Sequence, residues 1–251
     1  MKARRTWQGM MTIARFNWPF YVAALAVLAF SFVGLLSTMA ITPKLIFGSA
    51  LGGALYFLVG SLGVSHLVYD RSDLYRWRWL ERALRGAIVR RAIFCHAGFD
   101  ETSVELRARF AGADWTILDH FDERRMTEGS IRRARRMFPP TPDTLPAHYA
   151  QWPVAADSAD VVFGLLAIHE LRSEAERAGW FAEARRCLRR DGLVVLVEHV
   201  RDMANFLAFG PGFLHFHAPR SWRRAWTGAG LQAVDEFCVT AWVRVFVLTA
   251  S

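Results

Sequence analysis

The stretch of residues 157–200 constrains the fold most, because it reads as a strand, a helix and a second strand in close succession. Residues 160–166 form a short apolar run that begins with β-branched residues, which is typical of a strand buried on both faces. Ser173 is a candidate N-cap, and apolar side chains then recur at three- and four-residue spacing over residues 180–188. Residues 193–197 give the next buried strand. Such a βαβ unit is parallel and right-handed, so the sequence predicts a doubly wound α/β sheet.

Four motifs lie in and around this unit. They are a P-x-x-x-D-S-x-D-V-V-F strand, the tetrapeptide Ile168-His169-Glu170-Leu171, an E-x-R-R-x-L-R-x-D-G turn in which Gly192 is the expected left-handed helix cap, and a strand ending in Glu198. Over roughly residues 88–248 the chain resembles the class I S-adenosylmethionine-dependent methyltransferases. The resemblance implies a Rossmann-like, mostly parallel seven-stranded sheet with an antiparallel last strand, S-adenosylmethionine as cofactor, and methyl transfer as the reaction.

Two long apolar runs precede this domain. Residues 18–40 contain no charged side chain and are long enough to cross a hydrocarbon core of about 30 Å, and residues 45–68 repeat the pattern after a short connection. The sequence therefore predicts a transmembrane hairpin. The alternative for the first run is a signal peptide with a basic flank, but the run is longer than a signal core and a second run follows at once.

Basic residues on both sides of the hairpin set its expected orientation. One lysine and several arginines precede the first run, and several arginines follow the second. Lys44 is the only basic residue between the two runs. The positive-inside rule then puts both termini and the catalytic domain in the cytoplasm, on a multi-pass inner-membrane protein. Residues 1–70 are expected to form the anchor, residues 71–87 an amphipathic connector at the bilayer surface or on the sheet, and residues 88–251 the methyltransferase-like domain. Small residues at four-residue spacing in the second run predict close packing on the first, with a homodimer as the alternative.

The expected cofactor turn follows the strand over residues 88–95. In the resembled family this turn is rich in glycine, whereas here it contains Gly98 alone, and His96 stands where an acid is usual. Asp119 ends the second strand, where an acid binds ribose hydroxyls in doubly wound folds; a helix cap or a surface turn is the alternative. The cofactor contacts that the resemblance implies are His96, Ala97, Gly98, Asp100, Asp119, His120, Phe121, Tyr149, Gln151 and Leu166.

Histidines are the candidate catalytic residues. Several of them lie at or after strand ends, where a general base for a hydroxyl acceptor is needed, although eight histidines in the chain make a chance placement there common. The candidates are His169, His199, His215 and His217. No metal site is predicted, because these histidines lack the usual ligand spacing. The three cysteines lie far apart in apolar runs and are expected to be buried thiols.

The sequence thus predicts a membrane-anchored methyltransferase acting on a lipophilic small molecule, with oxygen as the favoured acceptor atom. The degenerate glycine turn leaves a second hypothesis open, in which the domain is an inactive scaffold that binds a partner. A nucleic-acid substrate is allowed by the net charge of +8 but disfavoured by the anchor. The arginine-rich helix over residues 127–137 is interpreted as a solvated face, with a patch that faces a membrane or nucleic acid as the alternative.

Overall fold

The computed structural model describes residues 5–251 as a seven-stranded sheet covered by helices, with a helical segment at the amino terminus. The strands are β1 (Arg91–His96), β2 (Asp114–Asp119), β3 (Thr144–Pro146), β4 (Ala159–Leu165), β5 (Leu188–His199), β6 (Leu231–Thr240) and β7 (Val243–Ala250). The helices are α1 (Gln8–Phe16), α2 (Trp18–Ser37), α3 (Ile41–His66), α4 (Trp79–Leu84), α5 (Ser103–Arg109), α6 (Gly129–Met137), α7 (Glu174–Cys187), α8 (Met203–Phe209) and α9 (Pro219–Gly228). Lys2 and Arg4, which enter the orientation argument, lie outside the described residues.

The strand order is β3-β2-β1-β4-β5-β7-β6. The first five strands pair in parallel, and β7 pairs antiparallel with both β5 and β6. This confirms the predicted doubly wound sheet with an antiparallel last strand. The order reverses between β1 and β4, and in such sheets a ligand binds beyond the carboxyl ends of the strands at that reversal.

Both faces of the sheet are covered by apolar side chains, as the continuous apolar runs of β4 and β5 require. On one face Trp180, Phe181 and Trp222 from α7 and α9 are fully buried. On the other face lies the connector, whose Trp77 and Trp79 are only 4% and 6% exposed and pack with residues of β1, β5 and β7. The structure therefore shows the connector packed on the sheet through these two rings, while its contact with a bilayer surface stays a prediction.

Helix α7 begins as predicted but ends earlier. Ser173 caps it in a full capping box with Glu176, in which each side chain binds the other residue's backbone N–H. The helix ends at Cys187, and Leu188 already pairs with Ala159 as the first residue of β5. Gly192 is not left-handed, so that prediction was wrong. A Cβ atom there would lie 2.8 Å from Leu188 and 3.0 Å from the Ala159 carbonyl oxygen, and this close approach explains the glycine.

Helices α2 and α3 form the hairpin and are long and apolar enough to cross a membrane. They pack through Gly34, which lies against the Phe47 ring, and through a 2.9 Å hydrogen bond between the Tyr21 and Ser61 hydroxyls. The predicted small-residue face of α3 does not contact α2. Among residues 5–251, no atom outside the local helix lies within 4 Å of a Cβ position at Gly48, and the Tyr56 hydroxyl donates to the Leu207 carbonyl of α8. This part of the packing prediction was wrong, because α3 turns that face toward α8.

Helix α1 was not predicted. It is held to the end of α3 by Asp70, whose carboxylate accepts the backbone N–H groups of Gly9 and Met10 at 2.6 and 3.0 Å. The Arg133 guanidinium donates to the Phe16 carbonyl at 2.6 Å and joins the other end of α1 to α6. Helix α1 therefore lies across the carboxyl edge of the sheet.

Candidate functional site

A cavity of about 650 Å³ lies between the carboxyl ends of β1, β4 and β5 and the amino-terminal helices. Its floor includes Ala97, Leu166 and His199, and its roof is formed by aromatic side chains of α1 to α3, among them Phe20 and Phe57. The volume falls within the range of about 300–1,000 Å³ that is usual for small-molecule sites. The cavity is at the strand-order reversal, where a doubly wound sheet binds its ligand.

The turn after β1 has the expected backbone but is filled by a side chain. Gly98 has a φ of +84°, and a Cβ atom at this position would lie 2.7 Å from the Phe121 ring. Asp100 accepts the N–H groups of Thr102 and Ser103 at 3.0 and 2.9 Å and so caps α5. His96 is 1% exposed beneath the turn, where burial lowers the pKa of its imidazole. Phe121 thus occupies the space beside Gly98.

Asp119 is buried, and its carboxylate is already engaged within the protein. One oxygen accepts the N–H groups of Gly98 at 2.8 Å and Phe121 at 3.0 Å, and the other accepts from the Arg135 guanidinium of α6. The same guanidinium lies 4.5 Å from the centre of the Phe121 ring. The structure therefore closes the predicted ribose position with Arg135 and Phe121.

The four predicted adenine contacts, His120, Phe121, Tyr149 and Gln151, do not line the cavity. His120 is buried in the core, where its imidazole lies 2.9 Å from the Ala147 carbonyl and accepts from the Trp180 indole at 3.2 Å. Burial lowers the pKa of His120 to about 4. Strand β3 ends at Pro146 rather than extending to Trp152, and Tyr149 packs on His148 and Gly179 instead. Gln151 is exposed.

Of the predicted cofactor contacts, Leu166 is the one best placed to contact a ligand in the cavity. It follows β4, lines the cavity and has a φ of +52°, a conformation that costs about 1 kcal/mol or more in a residue with a side chain. Ala97 and Thr102 line the same end of the cavity. These residues fit the methionine and sulfonium half of S-adenosylmethionine. The predicted ribose position beside Asp119 is occupied by the Arg135 guanidinium, whose side chain is 33% exposed.

His169 is the predicted catalytic residue with the best-defined environment. Its Nδ1 lies 2.6 Å from a carboxylate oxygen of Glu198, which is fully buried at the end of β5. The other Glu198 oxygen accepts the N–H groups of Ile168 and His169 at 2.8 and 3.1 Å. Burial lowers the pKa of His169, but the Glu198 carboxylate outweighs this effect and holds that pKa above its ordinary value.

His215 approaches this pair from the segment after α8. Its Nε2 lies 3.3 Å from a Glu170 carboxylate oxygen, and His169 Nε2 lies 3.8 Å from the same oxygen. All three side chains line the cavity. Burial raises the pKa of Glu170, but the hydrogen bond from His215 and the nearby His169 outweigh burial and lower it. The fold thus gathers residues whose spacing in the sequence gave no sign of a cluster.

The other two predicted catalytic histidines have structural contacts. His199 lines the cavity, but its Nε2 is 2.9 Å from the Tyr69 hydroxyl and its Nδ1 is 2.9 Å from the Trp242 carbonyl. Burial lowers its pKa to about 4. His217 does not line the cavity: its Nε2 lies 3.0 Å from the His169 carbonyl, and burial lowers its pKa to about 3. His217 supports the segment that carries His169.

Sequence reasoning missed Glu170 and Glu198 as site residues and missed the roof formed by α1. One signal was present: an acid adjoins a histidine at the end of two neighbouring strands, in His169-Glu170 and in Glu198-His199. The cysteine prediction was wrong for Cys238, which is exposed on β6, while Cys95 and Cys187 are buried.

Comparison with known proteins agrees with this architecture. Residues 122–196 match a protein-family model described as a methyltransferase domain, and no curated protein matches the sequence significantly. A SAM-dependent methyltransferase from Aquifex aeolicus is 11% identical, with a TM-score of 0.53 over 72% of this chain and 90% of that one. The mitomycin 7-O-methyltransferase MmcR is 14% identical, with a TM-score of 0.55 over 99% of this chain and 74% of that one.

The cyclase SpnF is 10% identical and has a TM-score of 0.51 over 72% of this chain and 82% of that one. At such identities these likenesses show a shared fold. The family match covers α6 to most of β5 and so includes Arg135, but it leaves out β1, its turn and Phe121. The chain therefore has the fold of the class I S-adenosylmethionine-dependent methyltransferases, and its residues 122–196 match a methyltransferase domain.

Proposed function

We propose that this protein is a membrane-anchored methyltransferase that transfers a methyl group to an oxygen atom of a lipophilic small molecule. The observation that carries this proposal is the composition of the cavity roof. Phe20 and Tyr21 of α2 and Phe57 and Ser61 of α3 line the same cavity as the strand ends. A ligand in this cavity therefore contacts side chains of the two helices that are long enough to span a bilayer.

The exposed apolar surface of the hairpin favours an apolar acceptor. Outer positions of both helices, such as Phe30 of α2 and Leu45 of α3, are 71% and 64% exposed, as expected of side chains that face lipid. The Tyr56 hydroxyl bonds α3 to the Leu207 carbonyl of α8, which keeps the hairpin against the catalytic domain. A quinol, polyketide or isoprenoid phenol that partitions into lipid would reach the cavity along the hairpin.

The polar end of the cavity favours a hydroxyl acceptor. His169, Glu170 and His215 lie together on an otherwise mostly apolar wall. The acceptor oxygen forms a bond to the methyl carbon as the carbon–sulfur bond breaks, and the hydroxyl proton leaves to a base. His169 is placed for that role, because Glu198 fixes its Nδ1 and leaves its Nε2 toward Glu170.

Binding of the cofactor depends on few side chains. Ala97, Thr102 and Leu166 would hold its sulfonium end, and Asp119 would hold the ribose after release of Arg135. S-adenosylmethionine supplies an electrophilic methyl group when bound. The protein then contributes mainly alignment of the acceptor oxygen for in-line displacement, and such alignment accounts for a large part of the rate in bimolecular reactions.

The test uses the full-length protein in liposomes with S-adenosylmethionine labelled in its methyl group. Isoprenoid phenols are offered beside the same head groups without the isoprenoid chain. We expect label in the organic extract, an alkali-stable methyl ether, and a KM that falls with chain length. Transfer to the short, water-soluble analogues alone would contradict a lipophilic acceptor. Glu198→Gln is the inactive control and Arg136→Ala, on the exposed face of α6, is the matched neutral control.

The closed ribose position favours a second candidate, an inactive methyltransferase-like membrane scaffold. Phe121 fills the space beside Gly98, and Arg135 neutralises Asp119. Titration calorimetry with S-adenosylhomocysteine separates the two candidates. Micromolar binding that Asp119→Ala abolishes supports the enzyme, whereas absence of heat at millimolar ligand supports the scaffold.

A further inference from the structure

The side chains of His169, Glu170 and His215 form a three-residue cluster at the polar end of the cavity. One ligand-type atom from each residue lies within 4.8 Å of the others. His169 and Glu170 come from the single helical turn after β4, and His215 comes from the short helical segment Gly210–His215. We propose that this cluster binds one divalent transition-metal ion. The following observations support this assignment.

His169 has the support that metal-binding histidines usually have. Glu198 is fully buried and lies 2.6 Å from His169 Nδ1, which fixes the ring and leaves Nε2 as the free lone pair. A carboxylate behind the ligating imidazole sets its tautomer and raises its basicity. Because Glu198 also accepts the Ile168 and His169 N–H groups, the backbone that carries both ligands is held in place.

Glu170 has an oxygen that the protein does not satisfy. Its Oε1 lies between the two histidines, 3.3 Å from His215 Nε2 and 3.8 Å from His169 Nε2. Its Oε2 is buried and has no hydrogen-bond partner among residues 5–251. A buried carboxylate oxygen without a partner is costly and rare in folded proteins. A cation between the three side chains would satisfy it.

The two chain segments that supply the ligands are joined independently of the cluster. The Arg172 guanidinium donates to the His215 carbonyl and, at 3.4 Å, to the His169 carbonyl. His217 Nε2 lies 3.0 Å from the same His169 carbonyl and 3.1 Å from that of Leu171. Such a scaffold holds the ligands near one another before an ion binds, which lowers the cost of binding.

The ligand types select the class of ion. Two imidazoles and one carboxylate suit zinc, iron(II), cobalt or manganese, whereas calcium and magnesium prefer all-oxygen sites. Three protein ligands leave coordination positions open toward the cavity. This inference deepens the proposed function and rests on it for the identity of the acceptor. A hydroxyl oxygen on the ion would lose its proton more readily, and His169 would then be a ligand rather than the base.

Metal binding is measured without cofactor or acceptor, so its outcome is independent of methyl transfer. Tag-free, full-length protein in detergent is stripped with a chelator and titrated with cobalt(II) and zinc chloride by absorption and calorimetry. We expect one ion per chain and visible cobalt d–d bands typical of nitrogen and oxygen ligands. Glu170→Gln and His215→Ala should each weaken binding by tenfold or more, and Glu198→Gln by about 10- to 100-fold.

His148→Ala is the matched control, because His148 is an exposed histidine outside the cavity, and this variant should bind as wild type does. Circular dichroism and the midpoint of thermal unfolding show whether each variant is folded. Saturable binding that Glu170→Gln leaves unchanged would overturn the assignment, as would the absence of a bound ion at millimolar metal. Because methyl transfer is assayed separately, failure of metal binding would reject this inference and leave the proposed function in place.

Discussion

The Arg135 guanidinium is paired with the Asp119 carboxylate and also lies over the Phe121 ring, so one side chain from α6 covers the predicted ribose position. Asp119 and Arg135 are both near the cavity, yet neither forms its wall. The ion pair must open before a ribose hydroxyl can reach the carboxylate. Cofactor binding therefore competes with a contact inside the protein.

Arg135→Ala should tighten binding of S-adenosylhomocysteine by about tenfold, because the cofactor no longer has to displace an ion pair of about 1.4 kcal/mol. Isothermal titration calorimetry of the full-length protein measures this change. Arg136→Ala, one residue further along α6 and exposed, should leave the affinity unchanged. Weaker binding by Arg135→Ala would mean that Arg135 contacts the cofactor instead of excluding it.

Glu198→Gln should lower the rate of methyl transfer by about 10- to 100-fold with a smaller effect on acceptor KM. The glutamine oxygen can still accept the Ile168 and His169 N–H groups, but its amide would donate to Nδ1 of His169 and reverse the tautomer. Nitrogen-15 NMR of labelled histidine reports the tautomer directly. An unchanged His169 tautomer together with full activity would reject a positioning role for Glu198.

The protein should lose stability in mild acid through His120. Its pKa is about 4 in the folded state because burial disfavours the cation, against about 6.5 when unfolded. The unfolded chain then takes up a proton first as pH falls. Above pH 6.5 His120 is neutral in both states and the free energy of unfolding has its full value. Between about pH 6.5 and 4, protonation of the unfolded chain alone lowers the free energy of unfolding by on the order of 3 kcal/mol.

Thermal unfolding midpoints of wild type and His120→Gln across this pH range measure the effect. The variant should be less stable at pH 7.5, and the difference between the two proteins should shrink as pH falls. The imidazole of His148, which is exposed, serves for comparison: His148→Gln should parallel wild type at every pH. A constant difference between wild type and His120→Gln would show that the pKa of His120 is the same in the folded and unfolded protein.

The orientation of the hairpin is tested with thiol reagents that do not cross membranes. Cys238 is exposed on β6, and Met39, in the connection between α2 and α3, is 90% exposed. We expect native Cys238 to react in inside-out vesicles only. In a Cys238→Ser background, Met39→Cys should react in intact spheroplasts only. Reaction of both thiols from one side would contradict a hairpin with cytoplasmic ends, and release of the protein by alkaline carbonate would contradict membrane insertion itself.

The sequence predicted elements wherever local patterning is strong. The β4–α7–β5 unit, the Ser173 cap and the two long apolar helices follow from residue periodicity and propensity, which act over a few neighbouring residues. Predictions were less specific where the position of a side chain depends on contacts with other helices or strands. The connector aromatics were compatible with a bilayer surface, with the sheet or with both, and only the tertiary structure shows that Trp77 and Trp79 pack on the sheet.

The amino-acid sequence by itself determined the fold class, the order of the strands along the chain and the acids and histidines that end β4 and β5, because these depend on local composition and spacing. The tertiary structure alone decided which of those side chains meet. Glu170 and His215 lie 45 residues apart in the chain, and Arg135 reaches Asp119 from another helix. Such contacts depend on the packing of whole elements against one another, and no local pattern in the sequence records that packing.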